Sequence, residues 1–171
     1  MNNIKLITTC FILLILSVTA CNPSGNDSEQ VIHIDKNKLV NINKYLARKD
    51  LDVMRHYIKR KSLKMLFSDE GYFYEIFDEG EQPKITDGKQ ITCECSISLL
   101  DGTPCYEIKN KTFVVGSSEE IYGLHHAVKF LGKGGKARFI FPSHLAFGIR
   151  GDFDKIPPRA ILLYKVRIIE S

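Results

Sequence analysis

Apolar and polar positions alternate most regularly near the C-terminus. Ala137, Phe139 and Phe141 alternate with Arg138 and Ile140 before Pro142, and Leu162, Tyr164, Val166 and Ile168 alternate with Leu163, Lys165 and Arg167. A period of two predicts strands buried more on one face than the other, and Pro142, which has no N–H for a ladder, ends the first. Between the two run Leu145-Ala146-Phe147-Gly148, a polar loop through Asp154, and Ile156-Pro157-Pro158. This places Phe147, Ile156 and Tyr164 near one loop, an arrangement suited to an apolar pocket.

The same period governs earlier segments. Tyr72, Tyr74 and Ile76 alternate with Phe73, Glu75 and Phe77 up to Asp78-Glu79-Gly80, and Ile91, Cys93, Cys95 and Ile97 share one face of the next strand. Gln82-Pro83-Lys84 and Asp87-Gly88 mark turns, and Asp101-Gly102 is a strong hairpin signal returning into Pro104–Glu107. Thr112–Val115 reads as a separate strand. Glu119–Phe130 is the one helix expected in this half, with Ile121, Leu124 and Val128 as its apolar side and Gly132 after its end. Gly132-Lys133-Gly134-Gly135 lies between helix and strand, the reverse of the order in a phosphate loop, and reads as a turn.

A helical period appears upstream. Leu39, Ile42 and Leu46 recur at i, i+3 and i+7 behind a cap at Asp35 or Asn37; Leu51, Met54 and Ile58 repeat that spacing behind Asp50. The short Lys49-Asp50 junction predicts a helical hairpin or one long helix with a break. Their apolar stripes would pack on each other or on the C-terminal half, or serve as a dimerisation or partner-binding arm.

Residues 1–20 are read as a targeting segment. The apolar run Leu6 to Val18 after Lys5 is too short to span a bilayer as a helix. It ends Val18-Thr19-Ala20-Cys21, which is similar to a bacterial lipobox, so lipidation is expected at Cys21, with cleavage after Ala20 and an unmodified cysteine as the alternative. Residues 21–34 follow as a flexible tether. Asn22 is not the acidic residue associated with inner-membrane retention, so an outer-membrane lipoprotein is expected, at the periplasmic face or the cell surface.

Composition narrows the chemistry. The chain has 171 residues, a formal charge of +4 and five cysteines. The charge reads as spread along the chain and solvated, so no nucleic-acid partner is expected. Cys93-x-Cys95 puts two thiols on one strand face, awkward for a mutual disulfide; a Cys95–Cys105 bridge is an alternative to buried free thiols. No metal and no cofactor are expected, because Cys and His do not cluster at ligand spacing. Adjacent His125 and His126 point about 100° apart on a helix and read as a solvated pair.

The order Leu145-Ala146-Phe147-Gly148, seven residues, Ile156-Pro157-Pro158, then a strand with an aromatic resembles the C-terminal half of an FKBP-type peptidyl-prolyl cis-trans isomerase. Gly116, Glu120-Ile121-Tyr122-Gly123-Leu124 and Gly134-x-x-Ala137 fall at that family's spacings, so the resemblance covers about Tyr72 to Ser171. It implies an α+β fold, an antiparallel β-sheet wrapped around one short helix, here preceded by a helical extension at 35–67; the family-like domain is 68–171.

The resemblance also implies the site. Ile121 stands where the family's main-chain amide donates to the substrate carbonyl, Leu124 at the pocket floor that is usually tryptophan, and Phe147 at an aromatic that often carries a hydroxyl. Ile156 and Tyr164 match the loop aliphatic and the wall aromatic. Cys105 stands at a usually aromatic position, as does Cys95, and Tyr106 replaces the pocket aspartate. Lys111 and Glu120 stand where apolar wall residues are common, which implies a wider pocket with a more polar rim. Cys105, Tyr106 and Glu120 are expected to contact substrate.

The implied partners are proline-containing polypeptide segments, a lipid membrane through Cys21, and a second copy through residues 35–67. Lipobox, helical extension and isomerase-like half together look like the gliding-motility-associated lipoproteins of the family, which implies a folding helper for exported or surface proteins. The alternative is a non-catalytic envelope lipoprotein that uses the diverged pocket as a protein-binding module.

Overall fold

Strands form where the period of two lets one side chain in two enter a shared core. In the computed structural model, which describes residues 35–171, six strands build one antiparallel sheet. They are β1 (Leu66–Phe67), β2 (Phe73–Asp78), β3 (Gln90–Leu99), β4 (Pro104–Val114), β5 (Lys136–Phe141) and β6 (Leu162–Glu170), in the order β1-β2-β5-β6-β3-β4. The targeting segment, Cys21 and the tether lie outside the described residues. Among those residues no helix is long and apolar enough to cross a membrane.

The inner face of the sheet holds the main core. Ile91, Cys93, Cys95 and Ile97 from β3, Phe139 and Phe141 from β5, and Tyr164, Val166 and Ile168 from β6 are all buried there. Against them lies a helix shorter than the sequence suggests. Helix α2 covers Tyr122–Ala127, and Val128–Phe130 tighten into a 3-10 turn. Glu119 and Glu120 precede the helix because Ile121, extended at φ −63° and ψ 143°, is its N-cap. Gly123 lets this helix approach the sheet closely: a Cβ there would sit 2.6 Å from the Phe141 ring.

The outer face is also covered, which the alternation did not foresee. Phe73, Ile140 and Leu163, from the polar register of their strands, are buried with Met54 in a second cluster. Met54 belongs to α1 (Lys36–Arg60), one continuous helix of 25 residues and not a hairpin or a broken helix. Neither Lys49 nor Asp50 is a helix breaker, and Asp50 caps nothing. Asp35 is the N-cap, accepting from the Asn37 N–H at 3.1 Å. The C-terminal half of α1 packs on the sheet through Met54, Leu51, Tyr57 and Ile58, whereas residues 35–45 are all exposed. The helix carries eight Lys and Arg against two Asp, so the chain's positive charge is concentrated here and not spread.

Two further expectations change. Pro104–Glu107 and the expected strand from Thr112, as far as Val114, belong to one strand, β4, whose pairing with β3 slips at Cys93/Cys95 and again at Ile97/Ser98. Irregular pairing lets one long strand bend while keeping its partner. His125 is not solvated but buried; its Nδ1 accepts from the Gly116 N–H at 3.0 Å and its ring meets Phe113 edge-on at 5.4 Å. Cys93, Cys95 and Cys105 are buried free thiols, with Cys93 Sγ and Cys95 Sγ 3.3 Å apart.

Candidate functional site

The segment that enters α2 and the segment that leaves β5 face each other across a groove of about 290 Å³. Its walls are Glu119, Glu120, Ile121 and Tyr122 on one side and Ala146 and Phe147 on the other. As an N-cap, Ile121 turns its carbonyl inward to accept from Leu124 and His125, and its own N–H meets no acceptor among the described residues. A free amide at the lip of a partly apolar groove is a ready donor to a carbonyl. Phe147 is half-buried and supplies the opposing aromatic surface.

Ile156 and Tyr164 come to the same region but do not line the open groove. Tyr164 is fully buried, edge-on to Phe141 at 5.3 Å, and Leu124 is fully buried beneath it in the same core. The Tyr164 hydroxyl has no hydrogen-bond partner among the described residues; burial first, then the Glu120 carboxylate, push its pKa up. The floor is therefore a packed core surface. Lys111 and Glu120, side chains 21% and 11% exposed, form an ion pair, and Glu120 is also part of the groove wall. With Glu119 beside it, that wall carries polar side chains.

Tyr106 and Cys105, on β4, do not line the groove but meet the β5–β6 loop, Cys105 through the Lys155 carbonyl at 3.7 Å. The Tyr106 hydroxyl donates to Asp152 Oδ2 at 2.5 Å and to Asp154 Oδ2 at 3.2 Å, bonds that push the phenol well above its ordinary range. Asp152 also accepts at Oδ1 from the backbone N–H groups of Asp154 (3.0 Å) and Ile156 (2.8 Å). Burial acts to raise the Asp152 carboxyl, but the bonds from Tyr106 and the two amides outweigh it and hold the group below the usual carboxylate range. Gly151, at φ +71°, allows this tight loop, since a Cβ there would lie 2.1 Å from the Ile156 carbonyl oxygen. The Cys105 thiol is pushed up by burial and then by Asp152.

Two residues that hold the β5–β6 loop escaped the sequence reading. Asp152 is one; an Asp followed two residues later by Asp and four later by a loop aliphatic is the signature of a side chain that caps its own loop. Asp50 is the other. It is 6% exposed and accepts from the Ser143 N–H (3.2 Å), the Ser143 hydroxyl (2.6 Å) and Arg159 Nη2 (3.2 Å). A carboxylate spaced four residues from Leu46 and Met54, on the apolar stripe of a helix, was its signal. Among the described residues no cluster of three His, Cys, Asp or Glu could hold a metal.

Comparison with known proteins identifies the family and the fold. Residues 81–169 match the model of the FKBP-type peptidyl-prolyl cis-trans isomerase domain. The chain is 35% identical over 104 residues to a probable FKBP-type isomerase, FkpA, of Neisseria meningitidis serogroup B, a match covering 58% of this chain and 38% of that protein. It is 28% identical over 100 residues to an FK506-binding protein of N. meningitidis serogroup A, covering 56% of this chain and 92% of that one. The crystal structure of Escherichia coli FkpA superposes with a TM-score of 0.63 at 22% identity, over 78% of this chain and 63% of that one, which shows the shared fold. The chain spans under half the length of the FkpA-type relatives. With more than half of its residues matched to that domain, on a sheet and helix of the same design, the chain belongs to the FKBP-type peptidyl-prolyl cis-trans isomerase family.

Proposed function

We propose that this chain accelerates rotation about Xaa-Pro bonds in polypeptides that settle in the groove between Ile121 and Phe147. The observation that carries the reading is the Ile121 N–H, which meets no acceptor among the described residues and is held by the N-cap conformation beside that groove. The uncatalysed barrier of about 18–20 kcal/mol is the loss of amide resonance. A twisted amide has less charge separation than a planar one, so an apolar wall such as Phe147 favours it. A donor aimed at the rotated carbonyl adds to the preference. Acceleration by about 10⁵-fold requires only about 7 kcal/mol, which needs neither a nucleophile nor a metal.

A protease-coupled assay of Xaa-Pro peptides tests this. Acceleration by the intact chain, lowered in Phe147→Ala by more than its stability change explains, is the expected result; no acceleration at any protein concentration removes the reading.

The finer assignment is a lipid-anchored helper for folding exported or surface proteins, in the manner of the gliding-motility lipoproteins. Its supports are the lipobox-like Val18-Thr19-Ala20-Cys21 and the helix that precedes the sheet. Incorporation of labelled fatty acid into the wild-type chain but not Cys21→Ser tests the anchor.

A second reading has its own support. Leu124 and Tyr164 are fully buried and take no part in the groove's lining, so the groove is shallow. That favours a module that binds extended segments without turning them over. Peptide binding without isomerisation is its signature.

A further inference from the structure

The loop between β5 and β6 carries both Phe147 and Ile156, and it is fastened at two places. Asp152 fastens its tip. Its base closes on Gly148: the Gly148 N–H donates to the Ser143 carbonyl at 2.8 Å, and the Arg159 N–H donates to the Gly148 carbonyl at 2.9 Å. Ser143 and Arg159, the two ends of the loop, are the residues whose side chains meet Asp50. Asp50 lies on α1, 93 residues before Ser143 and 109 before Arg159.

We infer that Asp50 is a positioning residue for the proposed isomerase site, so that α1 sets the geometry of the loop that carries Phe147. Four observations support this. The carboxylate is nearly inaccessible to water, so its three bonds are not traded freely for solvent. Its two oxygens serve opposite ends of the loop, Oδ2 the Ser143 end and Oδ1 the Arg159 end, so one side chain fixes the width of the base. Arg159 holds a left-handed backbone at φ +60°, a conformation that surrounding contacts must maintain. Ser143 opens the 3-10 turn Ser143–Leu145 directly before Ala146 and Phe147, so a shift of its amide is passed to the groove wall within one turn.

The inference rests on the proposed isomerase reading for its kinetic consequence, but the fastening itself is measured separately. Two intact-chain variants are compared: Asp50→Ala, and Ile168→Ala at the far end of β6, a core substitution that lowers stability without touching the loop. In Asp50→Ala, amide hydrogen exchange at residues 144–158 is expected to rise about tenfold or more above that in Ile168→Ala. Its kcat/KM for Xaa-Pro peptides, measured well below the Tm of both variants, is expected to fall several-fold further. Asp50→Asn keeps an acceptor for Ser143 and is expected to lie between Asp50→Ala and wild type. Loop exchange in Asp50→Ala equal to that in Ile168→Ala overturns the inference whatever the kinetics. If the wild type shows no isomerisation but Asp50→Ala loosens the loop, the fastening stands and only the isomerase reading falls.

Discussion

Tyr106 on β4 and Asp152 on the β5–β6 loop are joined by a 2.5 Å hydrogen bond, which ties the loop to the edge of the sheet. The bond makes the loop depend on the Asp152 carboxylate. Asp152 has a depressed pKa in the folded chain, so its contribution is present above the ordinary carboxylate range and is lost as pH falls through the lower, folded value. Exchange at the Ile156 amide should therefore stay flat from neutral pH down to that range and rise below it, beyond the intrinsic pH dependence. Asp152→Asn should abolish the step. A step retained in Asp152→Asn would assign it to another group.

The Lys111–Glu120 pair is largely buried, with side chains 21% and 11% exposed. Removing one partner strands a largely buried charge, whereas replacing both removes the desolvation cost as well as the attraction. Glu120→Ala alone is expected to lower stability by about 1–3 kcal/mol. Lys111→Ala with Glu120→Ala should recover much of that loss and, because Glu120 belongs to the groove wall, widen the groove and raise peptide affinity. Titration of a labelled Xaa-Pro peptide reads the second effect; equal affinity in the double variant and wild type would show that the wall at Glu120 does not limit binding.

Tyr164→Phe should cost nothing. The hydroxyl is fully buried without a partner among the described residues, so deleting it removes a desolvated group and leaves the ring packing on Phe141 intact. A change of about 0 to +1 kcal/mol in favour of the folded state is expected in urea unfolding. A loss larger than about 1 kcal/mol would mean that the hydroxyl is hydrogen-bonded in solution.

Met54→Ala tests the docking of α1. Met54 is 1% exposed against Phe73, Ile140 and Leu163, so truncation should cost about 2–5 kcal/mol. Because Asp50 lies one turn away, the same variant should also loosen residues 144–158. A loss of stability with the loop unchanged would show that the two contacts are separable.

Much of the architecture was legible because strand alternation reports one-sided burial directly. The inner-face residues of β3, β5 and β6 follow from it, as does the meeting of Ile121 with Phe147 once the resemblance is noted. The outer face was not legible. Ile140 and Leu163 stand in the polar register and are buried only because a helix from far upstream lands on them, and alternation within a strand carries no record of that. The same cause hid Asp50, whose partners are remote in sequence. His125 was misread because helix geometry gives the direction of a side chain but not what waits there; the Gly116 amide and the Phe113 ring come from β4 and the turn after it. The join of two short patterns into β4 depends on a ladder with β3 that continues through both slips.

Among the described residues the order of the sheet leaves β4 with one neighbour, its eleven residues otherwise unpaired along one side. A bare border of that length invites a strand from another molecule. Here the exposed Glu107 and Lys109 stud it with charge, and its two register slips spoil the flatness that a second ladder needs. The irregularities that let so long a strand keep its partner thus also discourage edge-to-edge polymerisation of the folded chain.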